Sequence, residues 1–237
     1  MVGPYKNAYG ARGIKRKYRK SDTGSRKTEA PKSMSMFRSL GRPMGIPKKL
    51  CVTLRYYQAV TLADPITGAA STNLFRANSL YDPDFSGAGH QPMGYDQYIE
   101  MYSDILVKKS RITVTHLNSV TSGTVFGVTL SPSSSSLTIP GDYIEQQSCA
   151  YAYTNASLTT LNQSVVASFD AKRFFDVKDP SDDPDLHHGA GTNPASVAFF
   201  HVFVGGFTST ADAAASAVNV LIEYDVEFSE PIQLNAS

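Results

Sequence analysis

The chain has 237 residues, of which 41% are hydrophobic and 18% charged, and its formal net charge at pH 7 is +1. This apolar content supports a packed core and excludes a wholly disordered chain, and no apolar run is long enough to cross a membrane. Two cysteines, Cys51 and Cys149, are too few for a disulfide framework, so we expect both to be reduced.

The small net charge hides a strong asymmetry along the chain. Residues 1–49 contain 14 lysines and arginines against two acidic residues, a net charge of +12. The other 188 residues contain eight lysines and arginines against 19 acidic residues, a net charge of −11. Such asymmetry is typical of proteins that contact nucleic acid or carry a charged tail.

We predict that residues 1–47 form a disordered arm that binds nucleic acid. This segment is poor in β-branched residues and has no sustained hydrophobic period, so it cannot bury enough apolar surface to fold alone. Tyr5, Tyr9 and Tyr18 are interleaved with its cations, which would let rings stack on bases while the cations contact phosphates. The predicted nucleic-acid-binding residues are Lys6, Arg12, Lys15, Arg16, Lys17, Arg19, Lys20, Arg26, Lys27, Lys32, Arg38 and Arg42.

Other interpretations of the arm fit its composition less well. An idle solvated tail rarely concentrates charge of one sign to this degree. A membrane-surface segment would show an amphipathic helical pattern, which is missing here. The stretch IKRKYRK is dense enough in cations to indicate a nuclear-localisation signal.

From residue 48 the pattern changes to β-strands. The first candidate, KLCVTLRYYQAVTL, alternates so that Leu50, Val52, Leu54 and Tyr56 share one face. Seven further candidates follow in chain order, namely TNLFRAN, DILVKKSRITVTHLNS, GTVFGVTLS, SCAYAYTN, SVVASFDAKRFF, ASVAFFHVFVGG and VNVLIEYDVEFSEP.

The third candidate strand has the clearest two-residue period. Ile112, Val114 and His116 fall on one face, and the residues between them fall on the other. GTVFGVTLS follows after a Thr-Ser-Gly turn, which predicts a hairpin between the third and fourth strands.

A single short helix is predicted, over GYDQYIEMYS, where Tyr95, Tyr98, Ile99 and Tyr102 would form one apolar face. The absence of strand–helix–strand alternation argues against a parallel sheet. Eight strands with long, uneven loops predict an all-β fold, an antiparallel jelly roll of two packed four-stranded sheets over residues 48–237.

The loop DPDFSGAGHQPMGYDQY, residues 82–98, invites a catalytic interpretation. Asp82 or Asp84 with His90 could form an acid–base pair, but no orienting group or nucleophile accompanies them. SGAGH lacks the Gly-Lys-Ser/Thr sequence of a phosphate-binding loop. The Asp-Pro-Asp and Gly-Ala-Gly sequences are typical of turns, so we predict a structural connection or subunit contact.

The other clusters of acidic and histidine residues are also better explained by structural roles than by metal binding or catalysis. DVKDPSDDPDLHHGAG gathers Asp176, Asp179, Asp182, Asp183 and Asp185, a set that could bind calcium between subunits, but an exposed acidic loop is the favoured interpretation. Adjacent histidines point apart in an extended chain, which argues against zinc at His187 and His188. His116 and His201 lie in strand patterns, without the histidine–carboxylate pattern of a cupin-type enzyme. We therefore predict neither catalytic residues nor a metal or other cofactor.

NLFRANSLYDPDFSGAGHQPMGYDQYIEMYSDILVKKSRITV, residues 73–114, resembles the region between the second and third strands in capsid proteins of small circular, Rep-encoding single-stranded DNA viruses (circovirus-like viruses). VLIEYDVEFSEPI, residues 220–232, is similar to the last strand of tombusvirus-like and satellite-virus-like coats. The resemblance implies a single jelly roll, a shell of many identical subunits and a genome of single-stranded DNA.

The predicted function is therefore a capsid protein, not an enzyme. Its partners would be copies of itself in multiples of 60, viral single-stranded DNA and host nuclear import machinery, without membrane insertion. It would reside in the virion, and in the host nucleus during assembly. Two alternatives stay open at this point: a monomeric nucleic-acid-binding module, and a carbohydrate-binding jelly roll with a basic targeting segment.

Overall fold

The computed structural model describes residues 45–63, 68–117, 123–154, 163–206 and 215–233. These residues form nine β-strands and three short α-helices. The strands are β1 (Lys49–Leu62), β2 (Ala70–Arg76), β3 (Tyr102–Leu117), β4 (Thr124–Ser131), β5 (Ala150–Thr154), β6 (Gln163–Asp170), β7 (His187–His188), β8 (Phe199–Gly206) and β9 (Ser216–Pro231). The helices are α1 (Tyr95–Ile99), α2 (Pro140–Ile144) and α3 (Ala171–Phe174).

The strands form two antiparallel sheets. The first has the order β1-β9-β3-β6, with the two-residue strand β7 paired to β3, and the second has the order β2-β8-β4-β5. Each sheet thus alternates strands from the early and late parts of the chain, which is the jelly-roll topology. The predicted all-β jelly roll is confirmed, and β7 is an addition to its eight predicted strands.

The core lies between the two sheets and is built from the side chains that alternate inward along the strands of both sheets. Strand β9 lies between β1 and β3 and pairs with both along almost its whole length. Its inward side chains are all buried, namely Val218, Val220, Ile222, Tyr224, Val226 and Phe228. From the facing sheet, Phe75, Phe126 and Phe200 complete the same cluster.

The predicted alternations of β1 and β3 are confirmed. Strand β1 has the predicted bounds, and its inward residues Leu54 and Tyr56 are buried while Arg55 and Tyr57 are exposed. In β3, Ile112, Val114 and His116 are all buried as predicted.

The predicted hairpin between the third and fourth strands is wrong. Strand β3 pairs with β6, β7 and β9, whereas β4 pairs with β5 and β8 in the opposite sheet. Sequence alternation assigns each residue to a face but does not choose the neighbouring strand, so a short connection was misread as a hairpin turn.

The predicted helix and one predicted strand also need correction. Helix α1 is confirmed but ends at Ile99, and Tyr102 is the first residue of β3. The candidate SVVASFDAKRFF is a strand only as far as Asp170, whose side chain accepts a hydrogen bond from the backbone N–H of Arg173 (3.4 Å) and caps α3. Helix α2 was not predicted.

Helix α2 covers the outer face of the four-stranded sheet. The ring of Tyr143 stacks on Phe203, with centroids 4.6 Å apart and planes inclined by 8°. Two strand glycines make this close packing possible: a Cβ on Gly127 would lie 2.7 Å from the Phe203 ring, and one on Gly205 would overlap Pro140. The part of the outward face around Phe203 is therefore buried even though it is not part of the inter-sheet core.

We expect Gly127→Ala to destabilise the fold by about 1–3 kcal/mol, the usual range for overpacking. The new methyl group would meet both the Phe203 ring and the backbone carbonyl oxygen of Ala150 at 2.7 Å. Urea unfolding followed by circular dichroism measures the change.

Gly141→Ala is the matched control, because nothing lies within 4 Å of a Cβ built there. We expect this variant to unfold at nearly the same urea concentration as the unmodified protein. Equal stabilities of the two variants would contradict the packing argument.

Candidate nucleic-acid interface and the surrounding surfaces

The predicted nucleic-acid-binding residues, from Lys6 to Arg42, all lie outside the described residues. Their role therefore stays a prediction. The described residues begin at residue 45, and their charges can be compared with those of the arm.

Lysine and arginine are strongly segregated within the described residues. These residues contain ten cations against 17 acidic side chains. Nine of the ten lie on the strands of the five-stranded sheet or on segments directly joined to them, namely Lys48, Lys49, Arg55, Lys108, Lys109, Arg111, Lys172, Arg173 and Lys178. The tenth, Arg76, ends β2, pairs with Asp82 (3.1 Å) and lies over the ring of Phe85.

Glu227 is the central acid of this charged face. It is only 5% exposed, and its two carboxylate oxygens each accept a hydrogen bond, from Lys49 Nζ and Lys108 Nζ, both at 2.5 Å. Burial acts to raise the pKa of Glu227, but the two lysine hydrogen bonds outweigh it, so the pKa lies below the ordinary value. The same bond to Glu227 raises the pKa of Lys49.

An irregularity in β3 brings its two neighbouring lysines to the same face. The register with β9 shifts between Val107 and Lys109, so the ladder contains one extra residue, Lys108. Lys108 reaches Glu227, while Lys109 pairs with Asp170 at 3.1 Å. A regular strand would have directed one of the two lysines inward.

Further cross-strand pairs continue the pattern along the sheet. Arg55 pairs with Glu223 at 2.8 Å, and Thr53 donates a hydrogen bond to Asp225 at 2.7 Å. Arg111 lies opposite Glu223 in the β3–β9 register. Four of the nine cations on this side, Lys49, Arg55, Lys108 and Lys109, are therefore paired with carboxylates.

The loop at residues 82–98 packs against strand β1 at one edge of the five-stranded sheet. Asp84 is buried and accepts hydrogen bonds from Gln58 Nε2 (2.8 Å) and from the backbone N–H of Ser86 (2.9 Å). His90 Nε2 lies 2.9 Å from the carbonyl oxygen of Tyr57. The loop thus contacts β1 through both side chain and backbone.

These contacts confirm the structural interpretation of the loop. Asp84 and His90 each have separate partners, so they do not form the acid–base pair that a catalytic interpretation requires. Asp82 pairs with Arg76. The loop connects β2 to β3 along the chain, contacts β1 through Gln58 and Tyr57, and covers the edge of β2 with backbone hydrogen bonds.

The acidic segment 176–191 forms capped turns. Asp179 and Asp183 each cap a short 3₁₀ helix, Pro180–Asp182 and Pro184–Leu186, by accepting from the backbone N–H two residues ahead. The hydrogen bond from Ser181 lowers the pKa of Asp179. Within the part of the chain that the structure describes, no three His, Cys, Asp or Glu side chains are grouped to hold a metal ion.

The adjacent residues His187 and His188 have separate environments. His187 Nδ1 lies 2.9 Å from Asp104 Oδ2, which also accepts a hydrogen bond from Ser229 Oγ at 2.5 Å. This cluster borders a cavity of about 640 Å³ next to Lys48 and Lys49. His188 instead points into the protein and is 5% exposed.

Three buried histidines have nitrogens without hydrogen-bond partners among the described residues. Both ring nitrogens of His116 are unpaired beside Phe126, as are Nε2 of His188 and Nδ1 of His201. Burial lowers the pKa of each ring, and that of His188 falls to about 4. The three rings are therefore buried in their neutral form. The sequence pattern of the strands did not indicate this.

Within the described ranges, no helix is long and apolar enough to span a membrane. No protein-family model matches the chain, and no curated protein matches it in sequence.

Several solved virus structures are similar in fold. A chain of cocksfoot mottle virus matches with a TM-score of 0.49 and 11% identity, covering 78% of this chain and 96% of that one. A chain of mud crab tombus-like virus matches with a TM-score of 0.44 and 12% identity, covering 84% and 98%. A chain of Desmodium yellow mottle tymovirus matches with a TM-score of 0.43 and 12% identity, covering 83% of this chain and 95% of that one. At such identities the likeness concerns the fold alone, which the strand order already establishes.

We expect Glu227→Gln to lower the free energy of unfolding by about 1–2 kcal/mol, because two lysines would lose the charge that accepts their hydrogen bonds. Urea unfolding at pH 7 measures the loss. Glu223→Gln is the matched control: its partner Arg55 is largely exposed, so the expected loss is below about 0.5 kcal/mol. A loss at Glu223 as large as that at Glu227 would disprove the central role of Glu227.

Acid should destabilise the protein through its buried histidines. An unfolded chain binds these protons at about pH 6.5, whereas the folded chain binds them only at lower pH. Each such histidine therefore removes stability as the pH falls below about 6.5, and for His188 the loss continues to about pH 4. The expected slope is up to about 1.4 kcal/mol per pH unit for each histidine.

His116→Leu tests this expectation, since it replaces a buried and unpaired ring with an apolar side chain. Unfolding free energies measured from pH 7 to pH 5 should fall less steeply in the variant than in the unmodified protein. Thr113→Leu, on the same strand, removes no titratable group and should keep the original slope. Identical slopes in all three proteins would exclude His116 as a source of acid sensitivity.

Proposed function

We propose that this protein is a capsid protein that assembles into an icosahedral shell and packages single-stranded DNA through its basic N-terminal arm, residues 1–47. The jelly-roll domain, residues 48–237, would form the shell. In this proposal the protein is a structural protein and has no enzymatic activity.

The observation that carries the proposal is the division of charge. Residues 1–49 have a net charge of +12, while the described residues have ten cations against 17 acids. Four cations of the five-stranded sheet, Lys49, Arg55, Lys108 and Lys109, already have carboxylate partners. Attraction for a polyanion is therefore concentrated in the arm, and most of the domain is left for contacts between proteins.

The amount of charge suits packaging. Icosahedral shells contain multiples of 60 subunits, so the smallest shell would bring about 720 arm charges to its nucleic acid. That number would neutralise part of a genome of a few thousand nucleotides. A monomeric binding module would have no need for so large a collective charge.

DNA as the cargo is inferred from the resemblance of residues 73–114 to capsids of small circular single-stranded DNA viruses. The arm itself would contact phosphates and stacked bases, which DNA and RNA share. The IKRKYRK stretch supports entry into the host nucleus through the import machinery, where such a genome would be packaged.

The test compares the full-length chain with a variant that lacks residues 1–45, using electron microscopy and absorbance at 260 and 280 nm. We expect the full-length chain to form uniform particles with the absorbance ratio of a nucleoprotein. The truncated chain should form empty or smaller particles without nucleic acid. The chain has no tryptophan, so its 13 tyrosines supply most of its own absorbance at 280 nm, and bound nucleic acid is recognised by the raised ratio of absorbance at 260 nm to that at 280 nm.

A second variant separates charge from length. Replacing Lys15, Arg16, Lys17, Arg19 and Lys20 with glutamine keeps the arm but removes five charges, and we expect the packaged mass to fall. Extracted nucleic acid should be degraded by DNase and resist RNase. Small soluble species in every preparation, bound to nucleic acid only when the arm is present, would favour a monomeric binding module.

A further inference from the structure

We propose that the outward face of the five-stranded sheet holds a second contact for nucleic-acid phosphates, centred on Arg111 of β3 and Arg173 of α3. This contact would add to that of the basic arm, residues 1–47. The proposal rests on the proposed function, since it concerns the nucleic acid that the shell would enclose.

The first argument is a local excess of cations. We call residues 49–55, 108–111, 170–173 and 223–227 the cationic strip. Their strand residues lie side by side in the register of β1, β9, β3 and β6. The described residues contain ten cations and 17 acids; seven of these cations and four of these acids lie in the strip, which leaves three cations and 13 acids elsewhere. The described residues are acidic as a whole, but the strip is positive, so a polyanion would be attracted to it.

The second argument is that two arginines of the strip lack acidic partners. In the sheet register, Glu223 lies between Arg55 and Arg111, but its carboxylate pairs with Arg55 at 2.8 Å. No Asp or Glu among the described residues pairs with Arg111 or Arg173, and both arginines are exposed. Both guanidinium groups are therefore available to an anion from outside the domain.

The third argument is the cavity that these two arginines share, which has a volume of about 400 Å³. Three acids also line it, namely Glu223, Asp170 and Asp225. Asp170 pairs with Lys109 at 3.1 Å. Asp225 accepts a hydrogen bond from Thr53 at 2.7 Å. Since each acid already has its own partner, the two guanidinium groups are left to bind anionic oxygens in this cavity.

Nucleic acid is the occupant that the fold favours. The arm joins the domain at β1, a strand of the same sheet, and β1 supplies Lys49 and Arg55 to the strip. A nucleic acid bound by the arm would therefore meet the strip at a high effective concentration. The guanidinium group suits this ligand because its N–H donors match two phosphate oxygens and its charge is permanent.

The test measures how the affinity for single-stranded DNA depends on salt, using the full-length chain, a labelled oligo(dT) and fluorescence anisotropy. Each phosphate contact on a single strand contributes about 0.7 to the slope of log K against log[salt]. We expect the double substitution Arg111→Gln and Arg173→Gln to reduce the slope by about 1.4, since two contacts are lost. The double substitution Arg111→Lys and Arg173→Lys should keep the slope, because both charges remain.

Lys178→Gln is the matched control, since it removes an exposed cation that lies outside the strip. We expect this variant to keep the slope of the unmodified chain. An unchanged slope in the glutamine double variant, or an equal reduction per charge in Lys178→Gln, would overturn the inference. Failure of the unmodified chain to bind oligo(dT) would refute the proposed function instead.

A second measurement needs no substitution and so does not depend on how a variant folds. Filled particles, particles emptied of nucleic acid and dissociated subunits are treated with phenylglyoxal, and the modified arginines are mapped by mass spectrometry. Arg111 and Arg173 should be protected only in filled particles. Protection that persists in emptied particles would assign the strip to a contact between subunits and refute the inference, as would equal reactivity in all three states.

Discussion

The pairing of β9 with both β1 and β3 is the interaction on which the rest of the structure depends. Strand β1 pairs with β9 from Lys49–Ser229 to Leu62–Ser216, and β3 pairs with the other side of β9. The side chains of β9 contribute to both the core face and the charged face of the five-stranded sheet. Inward, β9 supplies a continuous row from Val218 to Phe228. Outward, it supplies the carboxylates of Glu223, Asp225 and Glu227. Because these partners are so distant in sequence, the sheet is a high-contact-order element, whose formation is expected to limit the folding rate.

Local patterns predicted the parts of this fold that depend on local sequence. The two-residue period of β1 gave its bounds, and that of β3 gave the buried face of Ile112, Val114 and His116, because burial on one side of a sheet enforces alternation. The same period could not say which sheet a strand joins, so the β3–β4 hairpin was wrong. The contacts of Asp84 were equally beyond a local pattern, since Gln58 is 26 residues away. For the predicted nucleic-acid site, charge density identified the segment, but no pattern gives its geometry.

Charge pairing across β1, β9 and β3 has a consequence for the surfaces of the domain. With Lys49 and Lys108 held by Glu227, and Lys109 by Asp170, the sheet uses its cations to offset its own acids. The four-stranded sheet has almost no charge to offset, and α2 buries much of its outer face through Tyr143. The domain therefore presents one charged side and one neutral side. A neutral side is costly for a monomer in water but useful for a protein that is surrounded by its own copies.

Shell assembly and nucleic-acid binding, the two parts of the proposed function, are physically coupled. Bringing about 60 arms of net charge +12 into one enclosed volume is unfavourable unless a polyanion is present, so subunit contacts and nucleic-acid binding must each strengthen the other. Subunit contacts that do not depend on ion pairs are insensitive to the charge state of the arm, and salt weakens them less than it weakens phosphate contacts. High salt should thus release nucleic acid before it separates subunits. A shell built on cross-subunit ion pairs would lose both together, so the order of release distinguishes the two designs.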